Sequence, residues 1–380
     1  MTEQLASDVA IIGGGIMGSA TALFLRQRGL TVTLLERDLC GSRSSGINFG
    51  GVRRQGRKLA QLPLAQRAHL QWGRLAKLIG TEAEYERSGH FKIARSPADM
   101  ESLARYAEKA KIYGLDLQLI EGRAALDKYF PMGGARIVGG SFCPEDGQAN
   151  PRIVSPAFAR AAREAGADIR EHTPVLAVAH DGARFVVEAR QHGQSLKLKA
   201  FALLNCAGAW AAPFAAQWGE PVPLRVIPPA MGVTEPLPFF LPWSLGVEGG
   251  GIYCRQVRRG NVVFGGGRGY LLDAMRARAP HTVILSQLPQ LVELLPQLKT
   301  AHIIRTWSGT EAEMPDDNPV LGPSTRRPGL FHAFGFSGAG FQLGPGVGEV
   351  MAELIAEGRT GTPIDAFSIQ RFSNPQLHSL

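Results

Sequence analysis

Three glycines near the start of the chain have a spacing that suits dinucleotide binding. Gly13, Gly15 and Gly18 follow an apolar run and precede a helix-like pattern. In such a turn the first glycine permits a tight bend. The second lets the backbone approach a pyrophosphate, and the third lets the helix pack closely on the strand. The free N–H groups and positive dipole end of that helix also favour phosphate. The spacing therefore predicts a pyrophosphate site.

One acidic residue supports this interpretation. Glu36 ends the second apolar run, Leu30–Leu35. A carboxylate there accepts hydrogen bonds from ribose hydroxyls and repels a 2′-phosphate. The alternative, a purely structural strand-to-helix turn, leaves the position of Glu36 unexplained. We expect Ile16, Met17 and Arg37 to line the same site.

Composition limits the class of protein. The 380 residues are enough for two domains, and 44% apolar with 19% charged residues is ordinary for a globular chain. No apolar run approaches the ~20 residues of a membrane helix, and no signal-type segment opens the chain. We therefore expect a cytoplasmic protein with no membrane span. The net charge is +8, with one dense basic run at 53–58 and no basic-aromatic stripe. This favours an anionic substrate or an acidic partner surface over nucleic acid.

The four cysteines are far apart. Cys40, Cys143, Cys206 and Cys254 form no CxxC motif and no cluster with histidine at ligand spacing. We therefore expect buried thiols and no metal or iron–sulfur site within this chain.

The apolar pattern divides the chain into two interleaved domains. A βαβ unit at about 7–36, helical patterns at 59–79 and 152–165, a β-meander at 168–200, a strand at 203–206 and an amphipathic helix after 346 indicate a nucleotide domain. Short strand patterns indicate an antiparallel sheet that covers a ligand on one face; they lie at 90–94, 115–120, 137–143, 222–235, 251–257, 262–267 and 302–310. We predict an α/β fold. Residues 1–84, 150–218 and 325–380 form the nucleotide domain, and residues 85–149 and 219–324 form an inserted α+β substrate domain.

Several motifs together carry a family resemblance. They are the glycine turn, Ser45-x-x-Asn48-x-Gly50-x-x-Arg53, the strand end 205–210, Arg305-x-Trp307-x-Gly309, Asp316-x-x-Pro319-Val320-x-Gly322 and Gly335-x-Ser337-Gly338-x-Gly340. In this order they resemble the FAD-dependent amine oxidoreductases of the D-amino acid oxidase superfamily, over essentially the whole chain. Sarcosine oxidases, glycine oxidases and D-amino acid dehydrogenases are members.

One subgroup is most similar. Residues 48–57 followed by 62–65 resemble the catalytic β-type subunit of the opine (octopine and nopaline) oxidases and of D-hydroxyproline dehydrogenase. The resemblance implies an α-type flavoprotein subunit and a small iron–sulfur subunit as partners. FMN or an iron–sulfur cluster would then be carried at or by those partners.

The resemblance implies FAD in a Rossmann-type, glutathione-reductase-like domain. The second glycine-rich block, 335–346, would lie against a second ring system, and the helix N-terminus after it could stabilise negative charge on a reduced flavin. No cysteine follows Cys254, so we expect non-covalent FAD. The candidate FAD-binding residues are Gly13, Gly15, Ile16, Met17, Gly18, Glu36, Arg37, Ser44, Ser45, Asn48, Gly50, Gly51, Val175, Ala207, Gly208, Trp210, Gly335, Gly338, Ala339, Gly340, Phe341 and Gln342.

The family mechanism implies a carboxylate-bearing amine as substrate. Its Cα hydride moves to flavin N5, and the imine then hydrolyses. Tyr253 stands where relatives place a substrate-contacting tyrosine, although a core aromatic has the same pattern. Arg255 is a candidate for a bidentate carboxylate contact, or else a solvated strand arginine.

The residues after Gly309 depart from the family pattern. Many relatives place a carboxylate-binding arginine there, whereas this chain has Thr310-Glu311. We expect Glu311 to meet a cationic tail, such as the guanidinium of octopine, unless it is simply a surface glutamate.

The strand at 261–265 lacks the lysine that promotes reaction with oxygen in monomeric sarcosine oxidases. This favours a dehydrogenase that passes electrons onward. Two alternatives stay open. One is a stand-alone glycine, sarcosine or D-amino acid oxidase or dehydrogenase. The other is a non-catalytic FAD-binding subunit of a larger assembly.

Overall fold

The computed structural model describes residues 2–131 and 133–373. Its strands are β1 Glu3–Ile12, β2 Val32–Leu35, β3 Gly51–Val52, β4 His90–Ala94, β5 Gln118–Glu121, β6 Gly139–Cys143, β7 Gly147–Gln148, β8 Asp168–Arg170, β9 Val175–His180, β10 Phe185–Gln191, β11 Gln194–Asn205, β12 Arg225–Ile227, β13 Pro229–Pro236, β14 Ser244–Val247, β15 Tyr253–Gln256, β16 Asn261–Arg268, β17 Tyr270–Leu271, β18 Ala277–Arg278, β19 Ile303–Ser308, β20 Glu311–Glu313, β21 Val320–Pro323 and β22 Leu330–Phe334. Its helices are α1 Ile16–Gln27, α2 Ser44–Ile47, α3 Leu62–Trp72, α4 Leu75–Ile79, α5 Pro97–Lys111, α6 Arg123–Tyr129, α7 Pro151–Glu164, α8 Ala211–Gln217, α9 His281–Leu294 and α10 Gly340–Glu357.

The first sheet brings the predicted nucleotide-binding segments to one edge. Its strand order is β21-β22-β11-β1-β2-β8, and β9 and β10 extend from β11 as a meander. β1 runs parallel to both β2 and β11, with Ile12 opposite Leu35 and opposite Asn205. The loops after these three strands therefore leave the sheet side by side, where α/β folds bind nucleotides.

Three helices cover this sheet at close range. α1 packs against both α7 and α10. A Cβ on Gly348 of α10 would lie 2.5 Å from the Cβ of Ala20, so the two helices approach more closely than any side chain at 348 would permit. The core here includes fully buried Ile11, Leu25 and Leu34.

The end of the predicted meander and the strand after it form one strand. We predicted a meander at 168–200 and a separate strand at 203–206, but Gln194–Asn205 runs without a break. Its first half pairs antiparallel with β10, and β1 pairs parallel along nearly its whole length. The continuous ladder with β1 carries the strand across the apparent interruption in its apolar pattern.

The second sheet has the order β19-β13-β16-β15-β14-β4-β6-β5. Its pairings are antiparallel except that between β14 and β4. α9 packs on β16 and β13, while α5 packs on β4 and β6. The start of α5 has a recognisable signal, because Ser96 caps Asp99 N–H at 3.2 Å and Pro97 occupies the first turn.

Strands of the two sheets alternate along the chain. Val320–Pro323 lies within the predicted substrate segment 219–324 but pairs with β22 in the first sheet. Residues 374–380 of the last predicted nucleotide segment lie outside the described residues. Among the residues that are described, no helix is long and apolar enough to cross a membrane.

Candidate active site

A cavity of about 900 Å³ lies between the two sheets. Most of the predicted site residues line it: Gly13, Gly15, Ile16, Met17, Glu36, Arg37, Ser44, Ser45, Asn48, Gly50, Gly51, Val175, Ala207, Gly208, Trp210, Gly335, Gly338, Gly340, Phe341, Tyr253 and Glu311. Four predicted residues lie outside its lining: Gly18, Ala339, Gln342 and Arg255.

The glycine turn has the close contacts that its sequence implies. Gly13 has a φ of +105°, and a Cβ there would lie 2.4 Å from Cys206 O. A Cβ on Gly18 would lie 2.1 Å from Gly13 O, so Gly18 supports the turn from behind. A Cβ on Gly15 would meet only Ser45 Oγ, at 3.0 Å. The backbone at Gly15 is therefore open toward the cavity.

Glu36 is fixed by backbone donors. One carboxylate oxygen accepts Gly14 N–H at 2.7 Å, and the other accepts Asp38 N–H at 2.8 Å. The carboxylate is only 9% exposed and lies beside the glycine turn. This is the place for an acid that recognises ribose hydroxyls.

The loop at 44–50 bonds both to the glycine turn and to the segment before β20. Ser45 Oγ accepts Ile16 N–H at 3.0 Å, and Ser44 Oγ donates to Thr310 O. Asn48 donates to Ser45 O at 2.7 Å and accepts Gly50 N–H at 2.8 Å. One amide side chain therefore holds the shape of this cavity wall.

Arg37 and Trp210 form another part of the wall. The guanidinium carbon lies 3.5 Å from the centroid of the Trp210 ring, and the indole N–H donates to Ala274 O at 3.0 Å. Burial, followed by the charge of Arg43, lowers the pKa of Arg37. The stack ties the first domain to the β17–β18 hairpin.

The glycine-rich block near the C-terminus turns sharply before α10. Gly335 has a φ of +74°, and Ser337, which is not a glycine, has a φ of +46°. Ser337 Oγ accepts Met314 N–H at 2.9 Å. Gly338 N–H donates to Glu311 Oε1 at 2.5 Å. The block is thus held by β20 and by Met314, which follows it.

Two predicted residues support α10 rather than the cavity surface. Ala339 caps the helix and is 3% exposed. Gln342 donates to Ala65 O at 2.9 Å, while its backbone carbonyl accepts Trp72 Nε1–H at 2.7 Å.

Taken together, these residues fit FAD. A glycine turn open at Gly15, an acid at the end of β2 and a cavity that continues to Tyr253 and Glu311 have the parts needed for a dinucleotide and for a ring beyond it. Cys206 is the one cysteine in the cavity lining formed by described residues, and burial raises the pKa of its thiol.

Tyr253 lines the cavity from β15 of the second sheet. Its ring meets the Phe49 ring edge-on, with centroids 4.8 Å apart. Burial, assisted by the negative charge of Glu311, raises its pKa, so the phenol stays protonated. A Cβ on Gly265 would lie 2.6 Å from the Tyr253 hydroxyl, which explains a glycine on the neighbouring strand.

Glu311 lines the same side, with its carboxylate on Gly338 N–H. Burial raises its pKa, while the hydrogen bond from Gly338 and the charge of Arg57 oppose that shift. It therefore faces the cavity and is not a surface glutamate.

Sequence reasoning missed three arginines that line the cavity, Arg43, Arg53 and Arg57, although the basic run at 53–58 was an available signal for the last two. Arg53 and Arg57 line the cavity, whereas Arg54 turns away and binds Glu145 at 2.8 Å. Burial lowers the pKa of Arg53, and it lowers that of Arg57 to about 9, which still leaves Arg57 protonated at neutral pH. Neither arginine has a carboxylate within 4.0 Å among the residues that the structure describes.

Two further basic residues line the cavity, and neither was predicted. Lys92 pairs with Glu248. His90 is fully buried against Gln55, with its pKa lowered by burial. Among the described residues, the cavity lining contains one acid besides Glu36, namely Glu311, together with the cations Arg53, Arg57 and Lys92.

Arg255 lies behind the wall. It is 6% exposed, and its Nε donates to Phe49 O at 2.7 Å. It is therefore neither a solvated strand arginine nor a cavity-lining one.

A comparison with protein families finds that the family described as FAD dependent oxidoreductase matches residues 8–354. A glycine oxidase of Geobacillus kaustophilus is 26% identical over 96% of this chain and 97% of its own length. An opine oxidase subunit of Agrobacterium tumefaciens is 24% identical over 97% of this chain and 98% of its own length. The pyruvate dehydrogenase phosphatase regulatory subunit of Mus musculus is 26% identical over 96% of this chain, which spans 43% of that protein. The crystal structure of L-proline dehydrogenase from P. horikoshii matches with a TM-score of 0.88. The two sequences are 26% identical, and the match covers 98% of this chain and 99% of that one.

Proposed function

This chain belongs to the DAO family of FAD-dependent oxidoreductases, and we propose that it oxidises a C–N bond in an amine that carries a carboxylate. The family and the fold class predicted from the sequence are confirmed by the same matches. One observation carries the proposal. Arg53 and Arg57 face the cavity without a carboxylate partner among the described residues, beside Tyr253 and Glu311. A substrate carboxylate would complete this arrangement.

Each residue has a role that follows from its chemistry. Arg53 and Arg57 bind the carboxylate, because guanidinium groups pair with carboxylates through two parallel hydrogen bonds. Tyr253 offers a protonated phenol to orient the substrate amine. Bound FAD supplies, at N5, the acceptor for the hydride that leaves the substrate Cα, and the resulting imine hydrolyses. The cavity walls orient the Cα–H bond, which is the main contribution asked of the protein.

Within this class we propose an opine or D-hydroxyproline as the substrate. Glu311 favours an opine with a cationic tail, such as octopine, because a cation in contact with this buried carboxylate would stabilise its ionised form further than the charge of Arg57 does. The match to the opine oxidase of Agrobacterium tumefaciens agrees with this choice.

We assign FAD binding to the predicted residues that line the cavity, with Gly18, Ala339 and Gln342 supporting them from behind. The attachment is non-covalent. The cavity's cysteine is held as a neutral thiol by burial, and a thiol in that form is a poor nucleophile.

We also propose an electron acceptor other than oxygen. The strand β16, Asn261–Arg268, carries no lysine, and a relative of almost equal length is named as one subunit of an oxidase. The proposed partners are an α-type flavoprotein subunit and a small iron–sulfur subunit, with FMN or an iron–sulfur cluster at or within them.

Two alternatives each have an observation in their favour. The match to glycine oxidase favours a stand-alone oxidase. The match to a regulatory subunit favours a non-catalytic FAD protein. The unpaired arginines argue against the second alternative, because an unused cavity has no reason to retain two partly desolvated cations.

The test is anaerobic reduction of the FAD-loaded protein, followed at the visible absorbance band of oxidised flavin. Octopine, nopaline, cis-4-hydroxy-D-proline, D-proline, sarcosine and D-alanine are the substrates. We expect rapid bleaching by an opine or by the hydroxyproline and slow reoxidation in air.

Other outcomes select the alternatives. Fast bleaching by sarcosine or D-alanine with prompt peroxide release would identify a stand-alone oxidase. Bleaching by dithionite but by none of the amines would identify a non-catalytic FAD protein. The variant Arg57→Gln should bleach poorly, whereas Lys58→Gln should behave as the parent protein, because the Lys58 side chain is 54% exposed and pairs with Asp317.

A further inference from the structure

Arg255 is a buried cation without a carboxylate partner among the described residues. Its Nε donates to Phe49 O at 2.7 Å, and its Nη1 donates to Gln148 Oε1 at 3.3 Å. Both partners are neutral. Glu84 and Glu86 act on it only from beyond ion-pair distance, and burial lowers its pKa to about 10. The guanidinium is therefore charged at neutral pH, and its contacts are neutral hydrogen-bond acceptors and the Phe49 ring, whose centroid lies 5.5 Å from its central carbon.

Phe49 and Gly50 lie between this charge and the cavity. Gly50 has a φ of +85°, and a Cβ on it would lie 2.8 Å from Arg255 Nη2. Gly50 lines the cavity with Phe49 and Gly51, whereas Arg255 does not. Such a Cβ would meet Ala149 O first, at 2.3 Å, and then the guanidinium, which lies directly behind this part of the wall.

This part of the wall belongs to the reacting end of the cavity. The Phe49 ring meets Tyr253, which comes from the second sheet. The pyrophosphate turn and Glu36 instead lie at the edge of the first sheet. A dinucleotide placed on that turn extends its second ring toward the second sheet, because the ring must meet the substrate there.

We propose that Arg255 is a fixed positive charge that makes reduction of the bound FAD more favourable. Two-electron reduction leaves negative charge on the flavin ring. A cation already held in a buried site stabilises that charge without reorganisation, and burial reduces its screening by water. Hydrogen bonds to Phe49 and Gln148 hold it in place. The proposal depends on FAD binding and does not depend on the substrate.

The test is the midpoint potential of the FAD-loaded protein, measured by spectroelectrochemistry without any amine. In Arg255→Gln we expect the equilibrium constant for two-electron reduction to fall about tenfold, which lowers the potential by 29.6 mV. Gln148→Glu should lower it in the same direction, because it places a carboxylate beside a guanidinium that stays in position. Arg255→Lys should stay within about twofold of the parent protein.

Arg258→Gln is the matched control. It removes the same formal charge two residues beyond β15's Gln256, from a side chain that is 84% exposed and screened by water. Its equilibrium constant should stay within about twofold of that of the parent protein.

Parent-like potentials in both Arg255→Gln and Gln148→Glu would overturn the proposal. A fall in Arg255→Lys as large as that in Arg255→Gln would also overturn it, since geometry and not charge would then be responsible. If Arg255→Gln does not retain FAD, Gln148→Glu decides the question. Failure of every amine to reduce the flavin would overturn the proposed function and leave this result intact.

Discussion

The two ends of the cavity are built in different ways. At the glycine turn, the polar groups are satisfied within a short stretch of chain: Glu36 accepts two backbone N–H groups, and Ser45 accepts a third. At the substrate end, the polar groups are side chains from separate segments. Of these, Arg53 and Arg57 have no carboxylate partner among the described residues.

This difference shows where stability and function separate. The first end is complete before any ligand arrives, so its residues should stabilise the fold and the cofactor together. The second end holds charges in a partly desolvated wall, an arrangement that costs stability until an anion binds. Substitutions at the two ends should therefore have opposite effects on the unfolding free energy.

The largest effect is expected for Gly18→Ala. The new Cβ would lie 2.1 Å from Gly13 O, and backbone cannot move aside as a flexible side chain can. We expect a loss of about 3 kcal/mol of unfolding free energy, together with the loss of bound FAD. Thermal unfolding of the apoprotein and flavin content measure the two effects.

Gly15→Ala is the matched control for that change. Its Cβ would meet only the Ser45 hydroxyl, so the apoprotein should lose no more than about 1 kcal/mol. Its FAD affinity should still fall, because the backbone there must approach the pyrophosphate. If both variants lost stability equally, the distinction between supporting and contacting glycines would be wrong.

The next largest effect, and the reverse in sign, is expected for Arg57→Gln. Removing a buried guanidinium without an ion pair should raise the unfolding free energy of the apoprotein by about 1 kcal/mol. The loss of a charged hydrogen bond to the substrate carboxylate should lower kcat/KM about 10- to 100-fold. Chemical denaturation and steady-state kinetics test the pair of outcomes, with Lys58→Gln as the control. A loss of stability in Arg57→Gln would show that the charge is compensated in the free protein.

What the sequence predicted follows the same division. Gly13, Gly15 and Glu36 are predictable because backbone geometry fixes their types within one βαβ unit. Arg53 and Arg57 were visible as a basic run, but sequence does not say which of several neighbouring cations turns inward. That choice depends on Asp146 and Glu145, which bind the Arg54 side chain outside the cavity. Both lie about 90 positions further along the chain, so the local sequence does not reveal them.

The placement of Arg255 was also beyond what the sequence reveals, because the sequence suggested that it would reach the cavity and it does not. It follows Tyr253 by two positions on β15, which puts both side chains on one face of an ideal strand. Tyr253 nevertheless reaches the cavity, while Arg255 is stopped behind Gly50. The loop at 48–50 covers Arg255 but not Tyr253, and no feature of the strand itself distinguishes the two side chains.

An intermediate effect is expected for Glu311→Gln. If Glu311 binds a cationic tail, the ratio of kcat/KM for octopine to that for D-proline should fall about tenfold. Burial raises the pKa of Glu311, so in the parent protein the ratio should increase as pH rises through that raised pKa, whereas in Glu311→Gln it should be flat.

The contribution of Glu311 to the unfolding free energy should fall as pH rises, whereas the kcat/KM ratio should increase. A carboxyl whose pKa is raised on folding stabilises the fold at low pH, and that contribution is lost as pH rises through the folded pKa. Glu311→Gln should therefore weaken the pH dependence of unfolding. A ratio that is the same in both proteins would mean that Glu311 serves only to hold Gly338.

The smallest effect is expected for Arg37→Gln, at the well-satisfied end. The guanidinium stacks on Trp210, a contact worth about 0.5–1 kcal/mol, so the Kd for FAD should rise only about two- to fivefold. Trp210→Phe keeps a ring face but removes the hydrogen bond to Ala274, so it separates the stack from the link to the hairpin. Titration of apoprotein with FAD measures both. A rise above tenfold in Arg37→Gln alone would mean that its charge contacts the cofactor directly. The first end would then depend on a side-chain cation just as the second end does.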